Sequence, residues 1–357
     1  MKKDIEKLIH KLADTHSLTQ EEYEDLLDGY QKEYAKRLEE YSVEQRKAVY
    51  GNDIYTRGLI EFSNYCKNDC LYCGIRRSNT KVERYRLSKD EILECCKTGY
   101  KLGFRTFVLQ SGEDGYFTDN IMCDIVAMIR QRFPDCAITL SLGERTKESY
   151  QKLYHAGANR YLLRHETADA VHYQKLHPDN MSFEHRMECL YQLREIGYQV
   201  GCGFMVGSPY QTNRELAKDL KFIEAFQPDM CGIGPFIPHQ ETPFKEKTAG
   251  TLEMTCYLLS IIRLIKPDIL LPATTALGTI HPMGREQGVL AGANVVMPNL
   301  SPVNIRKQYE LYDNKICTGE EAAECRGCLE RRMQAIGYQV VTDRGDPKHI
   351  EKKEGRK

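Results

Sequence analysis

Apolar residues follow two patterns along this chain. Over residues 1–50 they recur at helical spacing, as at Ile5, Leu8, Ile9 and Leu12, among dense Lys and Glu. Thr19 and Glu22 have the spacing of a capping box ahead of "EEYEDLLDGYQKEYAKRLEEYS", which predicts that a second helix follows. This stretch reads as a helical extension, not as a separate catalytic domain.

From residue 57 the pattern changes to short β-rich runs alternating with amphipathic stretches. The predicted strands are 58–63, 106–111, 137–142, 160–165, 199–206, 230–236, 269–275 and 294–298. Two of the intervening helices open with capping boxes, Ser88 with Glu91 and Thr212 with Glu215. Strands that alternate with helices imply a parallel sheet, and eight of them suffice to close an α/β (β/α)8 TIM-type barrel. A doubly wound open sheet is the rival, and the strand count favours the barrel. The expected organisation is a helical extension over 1–50 and a barrel over 51–300. A cysteine-bearing segment over 301–342 then closes the barrel, and a charged, flexible tail covers 343–357.

Barrel active sites collect where the strands end at their C-termini. The segments there are polar and specific: "CKNDCLYC", "QSGED", "SLGER", "RHET", "GSPYQT", "PFIPHQETP" and "TTALGT". Each alone is ordinary turn chemistry. Their shared placement on one face is what points to function.

Composition narrows the class. Of 357 residues, 41% are hydrophobic and 28% charged, the balance of a globular protein. The net charge of -1 gives no electrostatic reason to expect a nucleic-acid or anionic-membrane partner. No apolar run has the length of a membrane span, and the N-terminus lacks a signal-peptide core, so a cytoplasmic location is expected. Fourteen cysteines in such a chain fit thiolate–metal chemistry better than a secreted disulfide scaffold.

Cys66, Cys70 and Cys73 stand in a C-x3-C-x2-C spacing after the first barrel strand. Structural zinc wants four ligands, commonly as two C-x2-C pairs, and here a nearby fourth is missing. A 4Fe–4S cube held by three thiolates instead leaves one iron open to a non-protein ligand. That spacing, with the aromatic Tyr72 before the last cysteine, resembles the radical SAM superfamily. There the open iron is chelated by S-adenosylmethionine (SAM), and one electron releases a 5′-deoxyadenosyl radical. "SGED", with Ser111, Gly112 and Glu113, is similar to the superfamily's Gly-Gly-Glu element, whose carboxylate accepts from the SAM amino group.

A narrower resemblance spans about residues 55–328. "RGLIEFSNYCKNDCLYCGIRRSN", "VLQSGED", "TLSLGE", "RYLLRHETA", "GIGPFIPH", "PATTALGTI" and "GANVVMPN", in that order, resemble the HydE family of FeFe-hydrogenase maturases. The resemblance implies that Cys66, Cys70 and Cys73 hold the cluster, and that Tyr72 packs near the adenine. It makes Glu113 and Glu166 polar contacts to SAM, with Arg186 paired to the SAM carboxylate. It lines the closed cavity with Arg57, Gln110, Thr139, Arg164, Thr274 and Thr275, and places Tyr309 and Tyr312 near its mouth. Cys317, Cys325 and Cys328 resemble the accessory iron–sulfur site of many members, 2Fe–2S or 4Fe–4S, with a zinc or empty site as alternatives. His165, His239 and His281 are expected to orient loops. Tyr210 departs from related enzymes, which have glycine at its place in the turn.

By the same resemblance the substrate is a cysteine-bound iron carbonyl–cyanide complex supplied by a tyrosine-cleaving radical SAM maturase, HydG. The product passes towards a scaffold GTPase, HydF, and electrons come from a ferredoxin or flavodoxin. The rivals are a methylornithine-synthase-like mutase or biotin-synthase-like enzyme of the same branch, and a non-catalytic metal-binding protein.

Overall fold

The computed structural model describes residues 4–316 and 326–349. Three helices come first: α1 (Ile5–Thr15), α2 (Gln20–Asp28) and α3 (Lys32–Tyr50). The expected second helix is therefore two. The break falls at Gly29, where a Cβ would lie 2.2 Å from Ile5 Cδ1, so α1 occupies the space a side chain would need. The Thr19–Glu22 capping box forms as its spacing predicts, and so do those at Ser88–Glu91 and Thr212–Glu215.

The barrel begins with β1 (Asp53–Thr56) and β2 (Gly58–Ser63), one extended run interrupted at Arg57. The chain then alternates through α4 (Lys89–Lys101), β3 (Thr106–Ser111), α5 (Asp119–Arg132), β4 (Ala137–Ser141), α6 (Lys147–His155) and β5 (Arg160–Leu162). Next come α7 (Ala170–Leu176), α8 (Phe183–Ile196), β6 (Gln199–Cys202), β7 (Met205–Val206), α9 (Asn213–Phe226), β8 (Met230–Cys231) and β9 (Gly234–Pro235). The segment α10 (Leu252–Ile265), α11 (Thr275–Ile280), α12 (Gly284–Leu290) and β10 (Val295–Val296) completes the ring. The order β2-β3-β4-β5-β6-β8 is parallel throughout, and β7 and β9 continue the last two strands.

Closure runs through short bridges. Met230 lies beside Leu270, Pro272 beside Val295, and Leu59 beside Asn299. Leu59 N donates to Pro298 O at 2.9 Å and Leu300 N to Leu59 O at 2.7 Å, so the eighth strand meets the first. The barrel prediction holds, although the run predicted at 269–275 is reduced to isolated bridges. The apolar α10 is buried almost all round because α1 and α3 cover its outer side. That gives the N-terminal helices their packing role.

After α13 (Arg326–Ala335), β11 (Gln339–Val341) adds to β1 in parallel. Residues 343–349, expected to begin a flexible tail, are folded beneath the N-terminal end of the barrel. The fully buried Arg160 pairs with Asp346 at 2.7 Å and donates to Arg344 O and Gly345 O. Thr106 Oγ1 donates to Arg344 O. His349 lies 3.1 Å from Asp229 and 2.6 Å from Asp268. A guanidinium on a barrel strand must be paired if it is to be buried, and this segment supplies the partners. Among the described residues no helix is long and apolar enough to cross a membrane.

Candidate active site

The loop after β2 carries Cys66, Cys70 and Cys73, and one arginine organises it. Arg84 donates to the carbonyls of Asn64, Ile75, Arg76 and Asn79, tying both ends of the loop together. Asp69 accepts from Arg76 Nε at 2.8 Å and from Ser78 N at 3.0 Å. Gly112, at the end of β3, packs against the loop so closely that a Cβ would lie 2.3 Å from Tyr65 O and 2.8 Å from Cys66 Cβ. Lys67 N donates to Glu113 O at 2.9 Å, so "SGED" and the cysteine loop are one unit. Burial raises all three thiols, Cys73 to about 12, and the neighbouring sulfurs push Cys70 and Cys73 up further. Burial favours the neutral thiols, so the three would become thiolates only beside a cationic metal. No three His, Cys, Asp or Glu side chains among the described residues converge tightly enough to hold a single ion.

Beside them stands a ring of charged and aromatic groups. Glu144 N donates to Glu113 Oε1 at 3.1 Å, while Lys67 Nζ lies 3.0 Å from Glu113 Oε2 without hydrogen-bond alignment. Arg186, 7% exposed, donates from Nε to Glu144 Oε1 at 2.5 Å and from Nη1 to Arg164 O at 2.9 Å. Burial opposes its charge, yet Tyr173, Glu144 and other nearby groups hold it firmly protonated. Glu166 sits at φ +65, a left-handed conformation rare for a non-glycine residue, and its N–H is held by Gly203 O at 3.0 Å. Strain of this kind collects at functional sites. Arg164 Nη2 lies 3.2 Å from Glu166 Oε2.

Tyr72 meets His177 Nε2 at 3.1 Å. His177 Nδ1 lies 2.9 Å from Tyr173 O, which can only accept, so the proton is on Nδ1 and Tyr72 donates to Nε2. Burial lowers His177 to about 3, which keeps it neutral. The three histidines expected to orient loops do so. His165 Nδ1 accepts from Gly203 N, leaving Nε2 to donate to Asp219; His239 accepts from Glu241 N, and His281 from Met283 N. Tyr210 takes the glycine conformation outright, at φ +67.

These groups enclose a cavity of about 340 Å³ in the barrel interior. Its wall includes the three cysteines, Tyr72, Ser111, Gly112, Glu113, Glu166 and Arg186, the groups expected to bind the cofactors. It also includes Arg57, Gln110, Arg164, Thr274, Thr275, Tyr309 and Tyr312. Thr139 is fully buried with Oγ1 unpartnered, but it is not in the wall. Several other polar atoms around the chamber lack hydrogen bonds, namely Arg57 Nε and Nη2, Arg164 Nε and Thr274 Oγ1, while Arg164 Nη2 and Glu166 Oε2 have only each other as an ion pair. Buried polar groups without partners are costly, so this cluster of them marks where a polar ligand belongs. Burial, with Arg160 beneath it, presses Arg57 well below the usual arginine range, a demand for an anion.

Sequence reasoning missed Glu61 and Lys315, which line the same chamber as an ion pair. Glu61 carried a signal, since it is an acid inside the wholly buried strand "GLIEFS". Lys315 carried none. Of the second cysteine set, Cys317 and Cys325 lie outside the described residues. Cys328 stands on the first turn of α13.

A closed (β/α)8 barrel with Cys66, Cys70 and Cys73 in the wall of a polar chamber has the build of a radical SAM enzyme. The superfamily's model, Radical SAM superfamily, matches residues 60–223, and membership implies a 4Fe–4S cluster and SAM. The chain is 42% identical over 343 residues to "FeFe hydrogenase maturase subunit HydE" of Thermotoga maritima, covering 96% of this chain and 97% of that protein. It belongs to the HydE family of FeFe-hydrogenase maturases. It is also 29% identical to the 3-methylornithine synthase of Methanosarcina acetivorans over 94% of both chains. The solved structure of methylornithine synthase (PylB) matches with a TM-score of 0.82 at 27% identity, covering 97% of this chain and 99% of that one.

Proposed function

We propose that this enzyme acts on a cysteine-bound iron carbonyl–cyanide complex and breaks the cysteine's C–S bond during assembly of the hydrogenase two-iron centre. The observation that supports this reading is the set of Arg57 and Thr274 atoms without hydrogen-bond partners in the chamber, with the Arg164–Glu166 ion pair beside them. Carboxylate and cyanide groups are anionic acceptors, and these are the donors they need. When bound, the cluster held by Cys66, Cys70 and Cys73 supplies with SAM a 5′-deoxyadenosyl radical.

The chain's own residues position and shield. Glu113 offers Oε2, which has the exposed Lys67 beside it but no hydrogen bond, to the SAM ammonium, and Arg186 offers its guanidinium edge to the SAM carboxylate. Tyr72, fixed by neutral His177, forms the wall beside the adenine. Arg164 and Glu166, paired at the end of one strand, line the same chamber. Tyr309, 2% exposed, closes the mouth with Tyr312 and keeps water and stray hydrogen donors out. The partners that fit are HydG as source of the substrate, the GTPase HydF as acceptor, and a ferredoxin or flavodoxin as reductant, in the cytoplasm. An accessory cluster on Cys317, Cys325 and Cys328 belongs to the same proposal.

Anaerobic reconstitution followed by SAM and dithionite tests the reading. Release of 5′-deoxyadenosine is expected, rising when the iron complex is added. No 5′-deoxyadenosine at all would overturn every enzymatic version, and methylornithine formation would favour the mutase instead.

A further inference from the structure

The C-terminal segment after Ile305 lies across the barrel mouth. Gly74 N donates to Leu311 O at 2.8 Å, Asp313 N to Pro238 O at 3.1 Å, and Asn64 Nδ2 to Gln308 O at 2.7 Å. From this strap one cation reaches inward. Lys315 Nζ lies 2.5 Å from Glu61 Oε1 and donates to Tyr309 O at 2.7 Å. The pair is buried, 6% exposed for the lysine side chain and 1% for the glutamate. Asn299 Nδ2 donates to Glu61 Oε2 at 2.9 Å, so both carboxylate oxygens are occupied.

An ion pair of this kind is a poor device for stability, because desolvation cancels most of its attraction. Its place in the chamber gives it another use. Glu61 shares the chamber wall with Arg57 and Arg164. A bare carboxylate there would repel an anionic ligand and compete for those guanidinium groups. Arg57 nevertheless keeps Nε and Nη2 without hydrogen bonds, and Arg164 is paired with Glu166, so Glu61 is not drawing on either.

We propose that Lys315 is a positioning residue that masks Glu61, so that the arginines of the chamber remain available to an anionic substrate. This rests on the anionic-substrate reading above. Residues that only anchor the strap would make a different prediction, since either truncation would then loosen the mouth.

The two roles separate in a double-mutant cycle on the reconstituted holoenzyme at pH 8, with iodide binding measured by calorimetry. Lys315→Met leaves Glu61 unmasked and weakens iodide binding by about tenfold, the scale of one nearby charge that is still largely screened. Glu61→Gln leaves Lys315 uncommitted and tightens binding. The double variant Glu61→Gln/Lys315→Met returns to within about threefold of the parent, because the net charge is restored. Weakening by both single changes, with no recovery in the double variant, would overturn the proposal in favour of strap anchoring. Circular dichroism and 4Fe–4S absorbance on the same samples report folding and cluster loading. SAM cleavage measured alongside separates failure of this inference from failure of the enzymatic reading.

Discussion

The carboxylate of Glu113 rests against Gly143 so closely that a Cβ at Gly143 would lie 2.2 Å from Glu113 Cγ. Gly143 also sits at φ +73, where a side chain is strained for its own reasons. The glycine in "SLGER" thus fixes a carboxylate on a neighbouring strand end. Gly143→Ala is expected to displace Glu113 and weaken SAM binding about tenfold, the loss of one charge-assisted hydrogen bond. Equilibrium dialysis with the reconstituted enzyme measures it, and unchanged affinity would exclude Glu113 as a SAM contact.

The two cysteine sets should separate cleanly. Cys70→Ala is expected to lose the site's iron and all 5′-deoxyadenosine formation, because a cube held by three thiolates then lacks one of its protein ligands. Cys328→Ala, far along the chain on α13, is expected to retain SAM cleavage within about threefold, a small fraction of the barrier that the chemistry requires. Iron analysis and product chromatography on both variants decide the matter.

Tyr210 tests the backbone directly. It occupies a left-handed position with its side chain 53% exposed, and Lys247 lies 4.7 Å from its ring. A β-branched residue cannot adopt this conformation comfortably, so Tyr210→Val should cost about 1–2 kcal/mol. Tyr210→Gly should stay within about 0.5 kcal/mol, since relief of strain offsets the added freedom of the unfolded chain. Chemical denaturation distinguishes the two.

Stability should fall on the alkaline side through His349. Hydrogen bonds to Asp229 and then to Asp268 raise this imidazole from 6.5 to about 9. A group raised on folding stabilises fully below its unfolded pKa and loses that contribution as pH climbs through the folded value. The window is therefore from about pH 6.5 to about pH 9. With a third of the side chain exposed, screening reduces the effect to about 1 kcal/mol. His349→Gln should flatten the stability profile over that window. In the same segment, Asp346→Ala strips the buried Arg160 of its carboxylate and should cost about 3 kcal/mol.

Local signals made much of this molecule readable in advance. Capping boxes, β-rich runs and the C-x3-C-x2-C loop each lie within a few residues, where periodicity and spacing register directly. The loops that follow the strands were legible as one functional face because a barrel places them there. The break at Gly29 was not legible, since the obstacle is Ile5 on another helix.

What the sequence by itself determined is the strand–helix alternation, the three-thiol loop and the polar strand ends that surround it. Only the tertiary structure decided that Lys315 reaches Glu61 across 254 positions, that residues 343–349 pair with Arg160, and that Thr139 stands outside the chamber wall. The reason is physical. A buried charge selects its partner by proximity in the folded barrel, and residues so distant along the chain leave no periodic trace of that choice.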